Sequence, residues 1–360
     1  MEEAVFQARR ARVAAEMARE GLEQIVESST ASVYYLTGVW AEPHERMLAL
    51  YLDGDGRGVL FGNEIFSLPS TPALPVVTHG DGEDPVAALA AHVSPGRLGI
   101  DKFWYSKFLL GLMAHRGDVT PVPGSAAVDR CRMRKDEAEI AAMVHASQVN
   151  DQVMAAAVAA LADGVRENEL AGLVNREYLS RGADQEGPQL VCFGAGCADP
   201  HHAAGPAVIQ PGDSVIFDIF TPVSRYWCDM TRTVFFRSVS EEQRRVYDLV
   251  LAANLAAEAA VKPGMRPSQV DKIARDVIAA GGYGPQFTHR LGHGCGLECH
   301  EPPDMGPGSE SPLEPGMVFS IEPGIYLPGK FGVRIEDLVL VTQTGCQVLN
   351  ACPKELQVVG

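Results

Sequence analysis

The feature that most constrains this chain is an acid set in the middle of each of two apolar, strand-like runs. The first run is Val215-Ile216-Phe217-Asp218-Ile219-Phe220. The second is Trp227-Cys228-Asp229-Met230-Thr231-Arg232-Thr233-Val234-Phe235-Phe236. β-Branched and aromatic residues favour strands, and the short polar break between the runs predicts a hairpin turning at Val223-Ser224. That turn would set Asp218 directly opposite Asp229, with Cβ atoms roughly 4.5–5.5 Å apart. Two carboxylates that close repel, and burying them costs on the order of several kcal/mol each. A shared proton, a cationic side chain or metal ions would relieve the conflict. Arg232 is the simplest cationic partner for Asp229 and stands as the competing explanation.

A second pair of acids follows the same pattern. Phe319-Ser320-Ile321-Glu322-Pro323-Gly324 ends an apolar strand on an acid, and Gly332-Val333-Arg334-Ile335-Glu336-Asp337 carries another inside a strand. A hairpin between residues 317–322 and 333–340, closed by a loop over 323–332, would bring them to one face. Histidines are concentrated nearby: His201, His202, His289, His293 and His300 are half of the 10 in the chain. In His289-Arg290-Leu291-Gly292-His293-Gly294-Cys295-Gly296-Leu297-Glu298-Cys299-His300-Glu301, the spacing of His289 and His293 would suit a zinc-binding helix. The glycines oppose a helix, at about 1 kcal/mol each, and predict a strand or loop with close backbone approach.

Together, Asp218, Asp229, His293, Glu322 and Glu336 make a set of four carboxylates and one imidazole. Such oxygen-rich donors suit Mn²⁺, Co²⁺ or Zn²⁺ in a two-ion site. Two ions about 3.5–4 Å apart would clamp a shared water and yield hydroxide near neutral pH, a nucleophile for an amide. A thiolate zinc site built from Cys295, Cys299, His293 and His300 is the alternative, but it leaves the four carboxylates unexplained.

The rest of the chain supplies context. With 360 residues, two domains are expected: residues 1–125, mixing helices and short strands, and residues 126–360, where runs of helices beside runs of strands indicate an α+β fold. Pro121-Val122-Pro123-Gly124-Ser125 is the expected linker. In the first part, Phe6–Glu20 is an expected helix ending at Gly21, and residues 24–26 and 48–52 are expected strands. In the second, helices are expected over 136–162, 167–179, 240–261 (with Ser240 and Gln243 as a capping box) and from Pro267 to Gly281. Basic residues number 30 and acidic ones 46, a net charge of −16, which argues against nucleic-acid and membrane-surface partners. No run of about 18 apolar residues predicts a membrane span. The start, Met1-Glu2-Glu3-Ala4-Val5, lacks signal-peptide order, and the 8 cysteines are scattered. A reduced, cytoplasmic chain is expected.

The order Asp218…Asp229-Met230-Thr231-Arg232-Thr233…His293-Gly294-Cys295-Gly296…His300-Glu301-Pro302-Pro303…Glu322-Pro323-Gly324…Arg334-Ile335-Glu336-Asp337 resembles the M24 metallopeptidases of the pita-bread fold. It is most similar to the branch that holds Xaa-Pro dipeptidase (prolidase) and aminopeptidase P. Tyr35-Leu36-Thr37-Gly38 resembles the creatinase/prolidase-like N-terminal α/β domain of that branch. Arg132, Lys135, Glu139 and Ile140 resemble its junction. The resemblance implies a hydrolase of Xaa-Pro bonds in small peptides that uses two divalent metal ions, Mn²⁺ foremost. Asp218 would chelate one ion, Asp229 and Glu336 would bridge both, and His293 and Glu322 would hold the other. Glu322 would also carry protons, His201 and His300 would contact substrate and oxyanion, His289 would orient that shell, and Arg334 would brace Glu336. A homodimer is implied too, with Trp40 and His44 as candidates to reach a partner's site.

Some positions depart from the family pattern. Phe220 stands where a small residue is usual. No arginine lies between residues 301 and 333, where a strict dipeptidase is expected to hold the product carboxylate. That keeps aminopeptidase action open, along with a creatinase-like hydrolase of another small amide. A non-catalytic peptide- or protein-binding member of the fold is the further alternative, and all five ligand positions would then have no use.

Overall fold

A computed structural model describes residues 3–360, which divide into two compact units, residues 3–132 and 133–360. The boundary therefore falls after Arg132 and not at residue 125. The expected linker is not one: residues 121–123 belong to a strand, and Ser125 opens a helix. The prolines of that segment are tolerated because the strand lies at the edge of its sheet.

The first unit holds helices α1 (Glu3–Arg19), α2 (Thr30–Thr37), α3 (Ala87–His92), α4 (Ser106–His115) and α5 (Ser125–Met133), the last running into the boundary. Its strands are β1 (Gln24–Glu27), β2 (Leu48–Asp53), β3 (Gly58–Asn63), β4 (Val76–His79), β5 (Gly96–Ile100) and β6 (Val119–Pro123). They form one mixed sheet in the order β4-β3-β2-β1-β5-β6. Val26, Ala49, Phe61, Leu89 and Leu98 lie in its core. The Tyr35-Leu36-Thr37-Gly38 motif is the last turn of α2 and its cap, with Gly38 at φ 75°, a left-handed position that glycine adopts without strain.

The second unit opens with α6 (Glu137–Ala159) and α7 (Glu167–Ser180), followed by β7 (Leu190–Phe193), β8 (Ser214–Val223) and β9 (Tyr226–Phe236). Then come α8 (Glu241–Ala260), α9 (Pro267–Ala280), β10 (Gly292–Gly294), β11 (Glu301–Met305), β12 (Val318–Ile321), β13 (Gly324–Leu327), β14 (Phe331–Arg334), β15 (Asp337–Val341), β16 (Cys346–Val348) and β17 (Val358–Val359). The strands form a sheet ordered β17-β9-β8-β7, a sheet ordered β11-β10-β12-β15-β16, and the β13-β14 hairpin. The helices start where their caps dictate. Asp136 with Glu139 and Ser240 with Gln243 are complete capping boxes, and Pro267 occupies the first turn of α9, where its missing N–H costs nothing.

Alternation along β8 and β9 decides what faces the site. Val215, Phe217 and Ile219 of β8 join Met230 and Val234 of β9 in a core that includes Ala146, Val153 and Met154 of α6 and Val174 and Tyr178 of α7. Asp218, Asp229 and Thr231 take the opposite face, because side chains alternate with period two.

The register differs from expectation. The turn is at Ser224-Arg225, both at positive φ (53° and 72°), with Val223 and Tyr226 as the closing pair. Asp218 therefore pairs with Thr231, and Asp229 with Phe220. A turn at Val223-Ser224 would force a β-branched valine into the left-handed region and pull a side chain only 1% exposed from its core. Since the slip is two residues, the acids keep a common face and become diagonal neighbours.

The second expected hairpin also changes. β12 pairs with β15, ending at Ile321↔Asp337, while residues 324–334 make their own hairpin. The strand expected over 333–340 is thus interrupted at Ile335-Glu336. Glu322 and Glu336 are the residues just past the last β12–β15 pair.

Candidate active site

His293 is central to the site, and its neighbours explain the glycine spacing. A Cβ on Gly292 would lie 2.0 Å from the Ser320 carbonyl oxygen, and one on Gly294 would lie 2.3 Å from that of Glu301. Only glycine lets β10 lie this close to β11 and β12. The Ser320 hydroxyl accepts from the His293 backbone N–H at 3.0 Å and donates to Glu322 Oε1 at 3.0 Å. His293 Nε2 then lies 3.4 Å from Glu322 Oε1 and 3.7 Å from Asp229 Oδ2.

Donor atoms of Asp229, His293 and Glu336, all buried, lie within 4.8 Å of one another. Thr231 Oγ1 donates to Glu336 Oε2 at 2.6 Å. Asp229 Oδ2 accepts from the Cys299 thiol at 3.5 Å. The other oxygens, Asp229 Oδ1 and Glu336 Oε1, are buried with no hydrogen-bond partner. Such orphaned acceptors are costly unless something fills them.

Asp218 and Glu322, both half-buried, line the same cleft of about 430 Å³ with Asp229, His293 and Glu336. The five residues named from sequence are thereby gathered around one space, with no cysteine in the tight cluster. Arg232 does not serve Asp229; its Nη2 donates to Asp337 Oδ1 at 2.7 Å, so the simple ion-pair explanation fails. Cys295 turns to the Trp227 carbonyl and Cys299 to Asp229. Arg334 differs from expectation: Nη2 donates to Asp218 Oδ2 at 2.6 Å, Nη1 to the Tyr326 hydroxyl at 2.8 Å and Nε to Thr231 Oγ1 at 3.2 Å. It braces Asp218 directly and reaches Glu336 only through Thr231.

The electrostatics follow from burial. Burial, then the charges of Asp218 and Glu322, hold the Asp229 carboxyl well above its usual range. Burial, then Asp229, Glu322 and Asp218, do the same to Glu336, and burial raises Glu322. Burial lowers His293 to about 4, so it is a neutral imidazole at pH 7, as a metal ligand must be. A bound cation inverts this balance, because its charge is the largest in such a site. Bare acceptors, clustered acids and a neutral imidazole therefore fit divalent metal.

The remaining histidines divide. His201, His289 and His300 line the cleft. The His300 ring meets that of His293 edge-on at 4.0 Å, and burial against the cleft wall, then the His293 ring, lowers its pKa to about 4. His289 Nε2 lies 2.9 Å from the Tyr326 hydroxyl. His202, given no role from sequence, lies 3.0 Å from Glu167 Oε2. That carboxylate also accepts from the Gly205 N–H, so the pair shapes the loop carrying His201. Phe220 lines the cleft, as its departure from pattern suggested.

Three residues of the site have no role assigned from the sequence: Thr231, Tyr326 and Arg290. Tyr326 sat in a segment read as loop, with no signal to mark it. Arg290 lines the cleft and stands three residues before His293, outside the 301–333 stretch in which a carboxylate-binding cation is expected.

Comparison with known proteins agrees with this architecture. The model of metallopeptidase family M24 matches residues 141–343, and that of the creatinase/prolidase N-terminal domain matches residues 9–134. An uncharacterized peptidase of Staphylococcus aureus (strain MSSA476) is 35% identical over 327 residues, covering 89% of this chain and 92% of its own. Among solved structures, recombinant prolidase from Thermococcus sibiricus superposes with a TM-score of 0.93 at 32% identity, covering 100% of both chains. Dipeptidase PepE from Mycobacterium ulcerans gives 0.91 at 34%, covering 100% of this chain and 99% of that one. With a creatinase-like N-terminal domain and a C-terminal pita-bread domain carrying the acid–imidazole cluster, the chain belongs to metallopeptidase family M24.

Proposed function

We propose that this peptidase hydrolyses Xaa-Pro bonds of small peptides, as a dipeptidase or an aminopeptidase P, with two divalent cations held by Asp218, Asp229, His293, Glu322 and Glu336. The observation that carries the reading is the buried Asp229–His293–Glu336 cluster with its two unpartnered carboxylate oxygens. Divalent cations bound there would polarise the scissile carbonyl and lower the pKa of water. Mn²⁺ is the first candidate, with Co²⁺ and Zn²⁺ next, since a set of four carboxylates and one imidazole accepts all three.

The chain's own groups supply the rest. His201 and His300 stand in the cleft as donors to the carbonyl oxygen as its charge develops. His289, oriented by Tyr326, fixes that wall. Glu322, with its raised pKa, takes a proton from the attacking water and passes it to the departing nitrogen. The departing nitrogen needs that proton because an amide anion is too basic to leave, and the site must deliver it to the ring nitrogen of proline, which carries no N–H in the peptide. Support for proline comes from likeness to a named prolidase.

The test is a panel of Xaa-Pro dipeptides, Xaa-Pro tripeptides and proline-free controls, each assayed with Mn²⁺, Co²⁺ and Zn²⁺. Cleavage confined to proline-containing peptides and abolished by chelation is the expected result. Equal turnover of the controls would end the proline reading, and chelator-resistant turnover would end the metal reading. A homodimer belongs to the same proposal; a fully active monomer in sedimentation would remove it.

A further inference from the structure

Two arginines line the cleft, and they differ in what remains of their donors. The Arg334 guanidinium is committed to Asp218, Tyr326, Thr231 and the Pro200 carbonyl. Arg290 is not. Its side chain is 43% exposed, and among the described residues its guanidinium has one partner, Asp304, through a single Nη1–Oδ1 contact. A guanidinium carries five N–H donors in a planar fork, so most remain for a ligand. Asp304 faces His293 across the β10–β11 ladder, and His300 immediately precedes β11. The ion pair is thus fixed to the strands that place both histidines. Other charged groups on the cleft walls are acids or Arg334, which leaves Arg290 as the lining cation with donors to offer.

The fork matches a carboxylate better than any neutral group. In a dipeptide the scissile carbonyl and the free carboxylate are one residue apart, so a peptide seated at the acid–imidazole cluster carries its carboxylate within the same cleft. A longer peptide, or an amide, presents an uncharged group there. We propose that Arg290, held in place by Asp304, binds the C-terminal carboxylate of the substrate and makes the cleft selective for dipeptide acids. The proposal rests on the peptidase reading above and narrows it to dipeptidase action, with the carboxylate-binding cation at residue 290 and not between residues 301 and 333.

The experiment compares free-acid and C-terminally amidated dipeptides, in Xaa-Pro and Xaa-Ala series, on the metal-loaded protein and on Arg290→Ala, Arg290→Lys and Asp304→Asn. The wild type should favour acid over amide by roughly ten- to a hundredfold in kcat/KM, the size of one charge-assisted hydrogen bond. In Arg290→Ala that ratio should collapse toward one, with Arg290→Lys intermediate. Asp304→Asn, which loosens the guanidinium, should raise KM for the acid more than it lowers kcat. A wild type indifferent to amidation, or an Arg290→Ala variant that keeps the preference, overturns the proposal and leaves the proline reading intact. An acid preference confined to the Xaa-Ala series, and lost in Arg290→Ala, upholds the proposal and overturns the proline reading. No cleavage in either series overturns both.

Discussion

Asp229 and Glu336 each keep one carboxylate oxygen satisfied and one bare, and that asymmetry separates ligands from ordinary buried acids. Asp229→Asn should cost more activity than the roughly 10–100-fold typical of residues behind a metal ligand. The same change should raise the melting temperature of chelated protein, because it removes one of several mutually repelling carboxyls. A chelated variant that melts below chelated wild type would contradict this. Thr231 bridges Arg334 and Glu336, and its hydroxyl is the only part of it that does so. Thr231→Val should therefore weaken metal binding roughly 10–100-fold at nearly constant side-chain volume, measured by competition with a metallochromic chelator. The four acids of the proposed ligand set were legible in the sequence because an acid set in an apolar strand demands a reason, and His293 because histidines cluster around it. Thr231 and Tyr326 were not, since a hydroxyl among strand residues carries no such demand.

Elements were legible to the degree that local chemistry fixed them. The capping boxes of α6 and α8 and the proline of α9 announced those helices. The β8–β9 register was misread because turn placement depends on which residue must stay buried, and the depth of Val223 is a tertiary fact. The break of the expected strand at Ile335-Glu336 was hidden for the same reason: β14 leaves to pair with β13, while β15 returns to β12. Gly292 gives the sharpest test at this scale. Gly292→Ala would drive a methyl into the Ser320 carbonyl, forcing β10 from β12 and displacing His293. Activity and metal retention should both fall sharply while α8 and α9 stay folded, as hydrogen exchange would show.

At the scale of the molecule, no helix among the described residues is long and apolar enough to cross a membrane, and no disulfide joins any of the 8 cysteines. A buried charge cluster outside the cleft sets a pH dependence. Burial, then the charge of Asp337, raises the Glu258 carboxyl to about 7, despite Lys354 at 2.7 Å. The folded protein then holds a proton that the unfolded chain has released above about 4.5, so stability should fall as pH rises from about 4.5 to about 7. Glu258→Gln should flatten that stretch of the melting curve against pH; an unchanged slope would reject the assignment. The Lys135–Glu301 pair, with side chains 1% and 3% exposed, makes a complementary case. Lys135→Met should destabilise the second unit by about 3–5 kcal/mol, the cost of removing one partner of a buried ion pair, read from urea midpoints. Two units were visible in the sequence, but their border was not, because the prolines of β6 imitate a linker.

The proposed ligands come from β8, β9, β10, the end of β12 and the break between β14 and β15. Nothing short of a polypeptide that has left the ribosome as far as Glu336 can complete them. Earlier nascent forms carry the first two acids without the groups that make them a trap. In the proposed site, uptake of metal would therefore report that the second unit has been assembled as far as Glu336.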